Sequence, residues 1–138
     1  MKALLLHANK FATKIIEEST RPNGIKPENK KSPLEEMEEC LVCFFTVENG
    51  DNETKLENFY NEIIKTAKEI GTKNLMISPF VHLSNNIASP EVSKSIYELL
   101  MSKFKNTDYK VSASHFGYHK SLQLDIKGHP SSFRYREF

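Results

Sequence analysis

The sequence lacks several features that would point directly to a function or a cellular place. Apolar runs stay far below the ~20 residues that a membrane-spanning helix needs. The opening letters, MKALLLHANK, turn polar too soon for a secretory signal. There is no Gly-rich phosphate loop, no G-x-S-x-G and no H-E-x-x-H. We therefore expect a cytoplasmic protein that binds no membrane and has no nucleotide-binding loop.

An excess of charge of one sign is also missing. Lysine and arginine number 19 against 18 aspartates and glutamates, for a net charge of +1 with histidine neutral. Such a domain produces no global field that attracts nucleic acid, so any contact with RNA is local or another domain supplies most of the affinity. The candidate basic positions are three lysines of one loop and two arginines near the C-terminus: Lys26, Lys30, Lys31, Arg134 and Arg136. The simpler interpretation is that these charges belong to the solvated surface.

Cysteine is scarce, and its two copies form a C-x-x-C. Cys40 and Cys43 lie in ECLVCFFTVE, a run whose Val, Phe and Thr content is typical of a buried strand. Residues at odd separation on a strand face opposite sides of the sheet, so these thiols cannot pair or share a metal there. Structural zinc needs four ligands. We interpret both residues as core cysteines.

What is present is a pattern of strands alternating with helices. Strands are predicted at 2–7, 40–47, 74–79 and 109–113, followed by a long last strand through Ile126, whereas 9–18 is predicted to form a helical turn and 19–33 a Pro-rich loop. One helix repeats apolar residues from Leu56 to Ile70 and ends at Gly71. A second begins at Ser89-Pro90-Glu91. The order ββαβαββ predicts a single α/β domain over 1–138, with a mixed sheet packed by two helices.

The last strand places a lysine on its apolar face. Lys120 shares its parity with Leu122, Leu124 and Ile126, whereas His119 points to the other side. Such a lysine can extend to the strand end, pair with a buried acid, or lie partly desolvated with a lowered pKa that suits proton transfer or electrostatic binding. Parity alone leaves these alternatives open.

A second candidate segment, SPFVHLSNN, follows a predicted buried strand. His82 and Ser84 lie just after its proline, and ligand sites in α/β proteins collect at such strand ends. The simpler alternative makes His82 a hydrogen-bonded loop residue and Ser84 a turn residue. None of the five histidines has the helical spacing of a zinc-binding pair: His7, His82, His115, His119 and His129. No metal site is therefore predicted, and a site assembled from distant histidines is the alternative.

Four motifs, in order, resemble one known family over essentially the whole chain. MKALLLH, PFVHLS, FGYHK and KGHP are similar to motifs of the N-terminal editing domain of archaeal threonyl-tRNA synthetases. The resemblance implies a D-aminoacyl-tRNA deacylase-like fold, a homodimer, and hydrolysis of L-serine wrongly attached to threonine tRNA with help from the terminal 2′-hydroxyl. Editing then needs no cofactor, since ATP and zinc belong to the catalytic domain. We expect a domain excised from a longer synthetase, with tRNA(Thr) and the catalytic and anticodon-binding domains as partners.

The resemblance also implies roles for matched residues. Lys120 would polarise the ester and help to position water, and His82 would bind near the terminal adenosine. His119 is the third candidate catalytic residue, in the place of the family's tyrosine. The candidate substrate-binding residues surround these positions: Val81, Ser84, Phe116, Gly117 and Tyr118.

Three departures from the family pattern stand out. His119 replaces tyrosine, Val81 replaces alanine, and Phe133 lies where the family carries a functional glutamate, for which Glu137 comes too late. The last departure leaves Lys120 without the family's acidic partner. Alternative functions are therefore a D-aminoacyl-tRNA deacylase, a catalytically silent tRNA-binding or dimerisation module, and a metal-dependent hydrolase.

Overall fold

The computed structural model describes residues 1–29 and 32–138, so that Lys30 and Lys31, two of the predicted basic positions, lie outside the described residues. The elements in chain order are β1 (Lys2–Glu18), β2 (Leu34–Thr46), α1 (Glu53–Ile70), β3 (Asn74–Pro79), a 3-10 turn (Val81–Leu83), α2 (Pro90–Lys103), β4 (Lys110–Ala113), β5 (Tyr118–Ile126) and β6 (Phe133–Glu137). The predicted order is confirmed through β5, and β6 is a further strand.

The strands form one mixed sheet in the order β4-β3-β2-β1-β5, with β6 also paired to β1. β1 is antiparallel to β2, β5 and β6, whereas β3 runs parallel to β2 and β4. The length of β1 explains its three partners: its first residues pair with β6 and its later residues with β5. This is the mixed α/β architecture that the sequence predicts.

The helical turn predicted at 9–18 is wrong, because β1 continues through Glu18. In this stretch Phe11, Thr13 and Ile15 are buried, and β-branched residues fit a pleated surface. Lys14 pairs with Leu34 of β2 on one side and with Ser121 of β5 on the other. The same pairing starts β2 at Leu34, six residues before its predicted beginning. Pairing with distant segments thus overrides the local pattern.

Both helices begin as predicted, and α1 also ends as predicted. The Asn52 side chain accepts a hydrogen bond from the Lys55 N–H, and Gly71 ends α1 in the left-handed conformation. Ser89 caps α2, with Pro90 in its first turn. The helices bury their apolar stripes in a core shared with β1, β2 and β3, whose principal members are Leu5, Leu41, Phe45, Leu56, Phe59, Ile63, Leu75, Ile77, Ile96 and Leu100.

The opposite face of the sheet carries a second core cluster that includes Phe11, Val42 and Met76. Cys43 belongs to the first cluster and Cys40 to the second, so the two thiols lie on opposite faces and are free, as predicted. Burial raises the pKa of Cys40 to about 12 and raises that of Cys43 well above its ordinary value. Both are protonated thiols at neutral pH.

Candidate active site

Two of the candidate segments leave the sheet at the edge where β3 and β4 end. These strands are parallel, with Ile77 opposite Ala113, so both chains leave the sheet on the same side. The Ser114 N–H donates to the Ile77 carbonyl at 3.0 Å, which fixes the start of the turn leading to β5. We call this place the carboxyl edge. It brings the FGYHK and PFVHLS motifs to one side of the molecule.

Lys120 directs its ammonium group at buried polar atoms of this edge. Its Nζ donates to the His115 carbonyl at 2.5 Å and to Ser114 Oγ at 3.4 Å. Ser114 Oγ in turn lies 2.7 Å from Ser78 Oγ, and both hydroxyls are buried. Burial lowers the pKa of Lys120 to about 8, although the nearby Glu28 carboxylate raises it in part. The Lys120 side chain is thus partly desolvated and interacts electrostatically with Glu28. It does not extend freely into water.

The Phe116–Tyr118 turn is held by the loop between β1 and β2. The Phe116 N–H donates to Glu28 Oε1 at 2.7 Å, and the Phe116 carbonyl accepts from the Glu28 N–H at 3.2 Å. The Tyr118 hydroxyl donates to the Glu28 carbonyl at 2.7 Å. Glu28 is a site residue that sequence reasoning missed, because a single acid in a polar Pro-rich loop forms no pattern.

Gly117 allows the loop to approach this closely. Its φ is +87°, a conformation that favours glycine, and a Cβ built there would lie 2.6 Å from Pro27 Cα. Its carbonyl accepts a hydrogen bond from the Ser19 N–H at 2.9 Å. The backbone groups expected to hold an amino acid are therefore partly engaged within the protein: the Phe116 N–H and the Gly117 carbonyl already have partners.

His82 and Val81 lie in the exposed 3-10 turn that follows β3. The His82 ring meets the Phe80 ring edge-on, with centroids 5.0 Å apart, and Val81 is 52% exposed. The Thr46 hydroxyl donates to the Phe80 carbonyl and accepts from the Leu83 N–H, which fixes the turn. His82 follows the end of β3 and so leaves the sheet at the carboxyl edge, where Lys120 contacts Ser114 and His115.

Ser84 and His119 take different positions. The Ser84 hydroxyl donates to the Glu48 carboxylate and accepts from the Asn86 N–H at 3.0 Å, the behaviour of a turn residue. His119 is exposed on the face of β5 opposite to Lys120, where it lies across from Glu17 of β1. The structure therefore does not bring the His119 ring beside Lys120, whereas Tyr118, on the same face as Lys120, contacts the site through Glu28.

The first and fourth motifs meet away from Lys120. His7 Nδ1 lies 2.7 Å from His129 Nε2, while His129 Nδ1 accepts from the Ser131 N–H at 3.2 Å. Burial, followed by the charges of His129 and Lys127, lowers the pKa of His7. His129 therefore donates to a neutral His7, an arrangement that joins β1 to the turn before β6. Phe133 is 64% exposed and pairs with Leu6 near the start of β1.

Two further observations concern ligands and membranes. Among residues 1–29 and 32–138, no group of three or more His, Cys, Asp or Glu side chains is arranged to hold a metal ion. None of the helices in the described part of the chain combines the length and apolar character that a membrane span needs.

Comparison with known proteins decides the family. The model of the archaea-specific editing domain of threonyl-tRNA synthetase matches residues 1–138. The chain belongs to this family. Threonine–tRNA ligases of Methanococcus aeolicus, Staphylothermus marinus and Pyrococcus furiosus are 36%, 37% and 34% identical over 96%, 96% and 94% of the chain. The editing domain spans 21% of the length of each of these relatives. It is thus a deacylase of mischarged aminoacyl-tRNA.

A solved structure supports the fold of the editing domain independently. The c-Myc DNA unwinding element binding protein superposes with a TM-score of 0.70, covering 100% of this chain and 99% of that one. Its sequence is 12% identical, so the likeness concerns the fold alone. The D-aminoacyl-tRNA deacylase-like fold expected from the motifs is confirmed.

Proposed function

We propose that this editing domain hydrolyses the ester of L-serine attached to threonine tRNA. The observation that carries the proposal is Lys120, whose ammonium is directed at the buried Ser114–Ser78 pair and has a pKa of about 8. Selectivity at the synthetic site is limited, because the methyl group that distinguishes threonine from serine is worth only ~1–3 kcal/mol in a pocket. A second, hydrolytic site removes the resulting errors.

The chemistry needs no nucleophilic side chain. Water attacks the ester carbonyl carbon, the bond to the ribose oxygen breaks, and that oxygen takes a proton, which yields free serine and intact tRNA. The Lys120 ammonium stabilises the negative charge that develops on the carbonyl oxygen and helps to orient the water. The 2′-hydroxyl of the terminal ribose assists, and His82 on the exposed turn contacts the terminal adenosine.

The substrate reaches this site from the carboxyl edge. In this proposal Val81, Phe116, Gly117 and Tyr118 contact the serine, while Ser84 supports the turn that carries His82 through its bond to Glu48. Because the Phe116 N–H already donates to Glu28, it is not available to bind the amino acid. The role of His119, which lies on the opposite face of β5, is confined to contacts with the tRNA.

The relatives, which are threonine–tRNA ligases, support most of the proposed partners. We propose tRNA(Thr), a second copy of the domain, and the catalytic and anticodon-binding domains of a threonyl-tRNA synthetase as partners, in the cytoplasm where translation occurs. With a net charge of +1 the domain has little general attraction for RNA, so those other domains supply most of the tRNA affinity. ATP and zinc are used by the catalytic domain and not for editing.

The decisive experiment compares hydrolysis of L-seryl-, L-threonyl- and D-aminoacyl-tRNA by the purified domain, with and without a strong chelator. The proposal expects release of L-serine that the chelator does not affect, and much slower release of L-threonine. Preferential release of D-amino acids would favour the alternative of a D-aminoacyl-tRNA deacylase. Intact L-seryl-tRNA at enzyme excess would instead indicate a silent tRNA-binding module.

A further inference from the structure

Glu28 occupies a central place at the active site although it comes from the loop between β1 and β2. Its backbone and side chain together make three hydrogen bonds to the Phe116–Tyr118 turn, through the Phe116 N–H, the Phe116 carbonyl and the Tyr118 hydroxyl. The Tyr97 hydroxyl of α2 also donates to Glu28 Oε2 at 3.4 Å. A residue bonded to a turn from both sides fixes the position of that turn.

The same turn sets the position of Lys120. Its ammonium donates to the carbonyl of His115, the residue immediately before Phe116. Phe116 is buried and stacks on Tyr97, with ring centroids 6.0 Å apart. The path from Glu28 to the ammonium thus runs through one peptide unit, that between His115 and Phe116: Glu28 binds its N–H and Lys120 binds its carbonyl.

We propose that Glu28 is a positioning residue for Lys120, which holds the His115–Phe116 peptide in place and supplies the negative charge that balances the ammonium. Where the family carries a functional glutamate, this chain has Phe133, which is exposed on β6 and carries no charge. Glu28 as the acid beside Lys120 is consistent with this departure. The carboxylate that accompanies Lys120 comes from the loop in this chain. Only the kinetic part of the test, the deacylation rate, rests on the proposed function.

The charge of Glu28 predicts the direction in which the pKa of Lys120 changes when Glu28 is replaced. A carboxylate favours the ammonium form, so Glu28 raises the pKa of Lys120 against the lowering effect of burial. The titratable groups around this turn come from β1, the β1–β2 loop, β2, α2, the turn before β5, and β5: Glu18, Glu28, Glu35, Tyr97, His115 and Tyr118. Replacing Glu28 by glutamine removes only the carboxylate charge from this set.

The experiment measures two properties of Glu28→Gln, with Glu36→Gln as the matched control. Glu36 is an exposed carboxylate of β2 that pairs with Lys10 at 3.7 Å. Protein grown with 13Cε-lysine gives the titration midpoint of Lys120 by NMR, assigned by the signal missing from Lys120→Arg. Single-turnover deacylation of L-seryl-tRNA, measured as a function of pH, gives the rate and the midpoint of its decline at alkaline pH, after the spontaneous hydrolysis is subtracted.

We expect Glu28→Gln to move both midpoints to lower pH and to slow deacylation about 10-fold to 100-fold, as misplacement of a catalytic group does. Glu36→Gln should behave as the wild type. An unchanged Lys120 midpoint and a rate within about twofold would overturn the proposal. If the wild-type domain does not hydrolyse L-seryl-tRNA, the proposed function fails, while the NMR titration still decides the role of Glu28.

A second variant covers the case in which Glu28→Gln does not fold. Glu28→Asp keeps the charge on a shorter side chain, so we expect a Lys120 midpoint near that of the wild type but faster hydrogen exchange at the Phe116 amide. Slower deacylation should accompany this faster exchange. Unchanged exchange and an unchanged rate in this variant would contradict a positioning role.

Discussion

At the scale of single residues, the proposed editing reaction depends on Lys120. Its partly buried ammonium donates to the His115 carbonyl and to Ser114 Oγ, within reach of the charge of Glu28. Parity along the strand predicts that this lysine faces inward, and the structure adds the buried serine pair behind it. Ser78 opens the SPFVHLSNN segment and Ser114 belongs to no motif, so only the parallel pairing of β3 and β4 reveals their contact.

Replacing Lys120 by methionine should abolish most editing while preserving the fold. Methionine keeps the length and apolar stem of lysine but removes the charge that stabilises the transition state, so we expect at least about 100-fold slower deacylation of L-seryl-tRNA. Circular dichroism should show an unchanged fold. Lys110→Met, at an exposed position of β4, is the control and should keep wild-type activity. Equal activity of both variants would show that Lys120 is only a strand residue.

The lowered pKa of Lys120 also predicts how stability varies with pH. Between about pH 8 and the ordinary value of 10.5, the unfolded chain holds a proton that the folded protein has released. The Lys120 contribution to the free energy of unfolding therefore rises with pH across this window, by up to about 3 kcal/mol. Urea denaturation of wild type and Lys120→Met at pH 7.5 and 10 measures it. The free energy of unfolding of the wild type should increase relative to that of the variant between pH 7.5 and pH 10. A difference between the two proteins that stays constant would contradict the lowered pKa of Lys120.

At the scale of elements, the loop between β1 and β2 is part of the site rather than a simple connection. Pro27 approaches Gly117 so closely that no side chain fits there, and Glu28 holds the turn before β5. The helices could be predicted because their caps and stripes are local. The end of β1 could not, since its strand state depends on pairing with β2 and β5, and Glu28 carries no recognisable pattern.

Gly117→Ala tests this close approach, with Gly50→Ala as its control. Both glycines have positive φ, +87° and +84°, but a Cβ at Gly50 meets nothing within 4 Å. Each alanine should cost about 1–2 kcal/mol of backbone strain. Gly117→Ala should lose clearly more stability in denaturant titrations, because Pro27 must also move, and should lose editing activity. Equal losses of stability would show that the loop is not packed against the turn.

At the scale of the whole molecule, the sheet separates two cores, and the C-x-x-C spans them. Cys43 lies among residues beneath the helices, and Cys40 lies on the other face. The odd spacing within an apolar run suffices to predict this arrangement, because strand periodicity is a local property. What the sequence could not show is how β1, by pairing with β5 and β6 at its two halves, brings distant motifs together.

Chemical labelling of the two thiols should report on the opening of the two core clusters. Burial raises the pKa of both, so neither is a reactive thiolate in the folded protein. We expect iodoacetamide to label Cys40 and Cys43 slowly in native buffer and rapidly in denaturant, as followed by mass spectrometry. Fast native labelling of either residue would contradict the packing of its cluster.

The central claim is that this domain removes serine from threonine tRNA through Lys120. The most direct test is single-turnover hydrolysis of L-seryl-tRNA(Thr) and L-threonyl-tRNA(Thr) by wild type and Lys120→Met, at enzyme excess and neutral pH. We expect rapid release of serine by the wild type, slow release of threonine, and near-background release of serine by the variant. Persistence of L-seryl-tRNA with the wild type, or full activity of Lys120→Met, would contradict it.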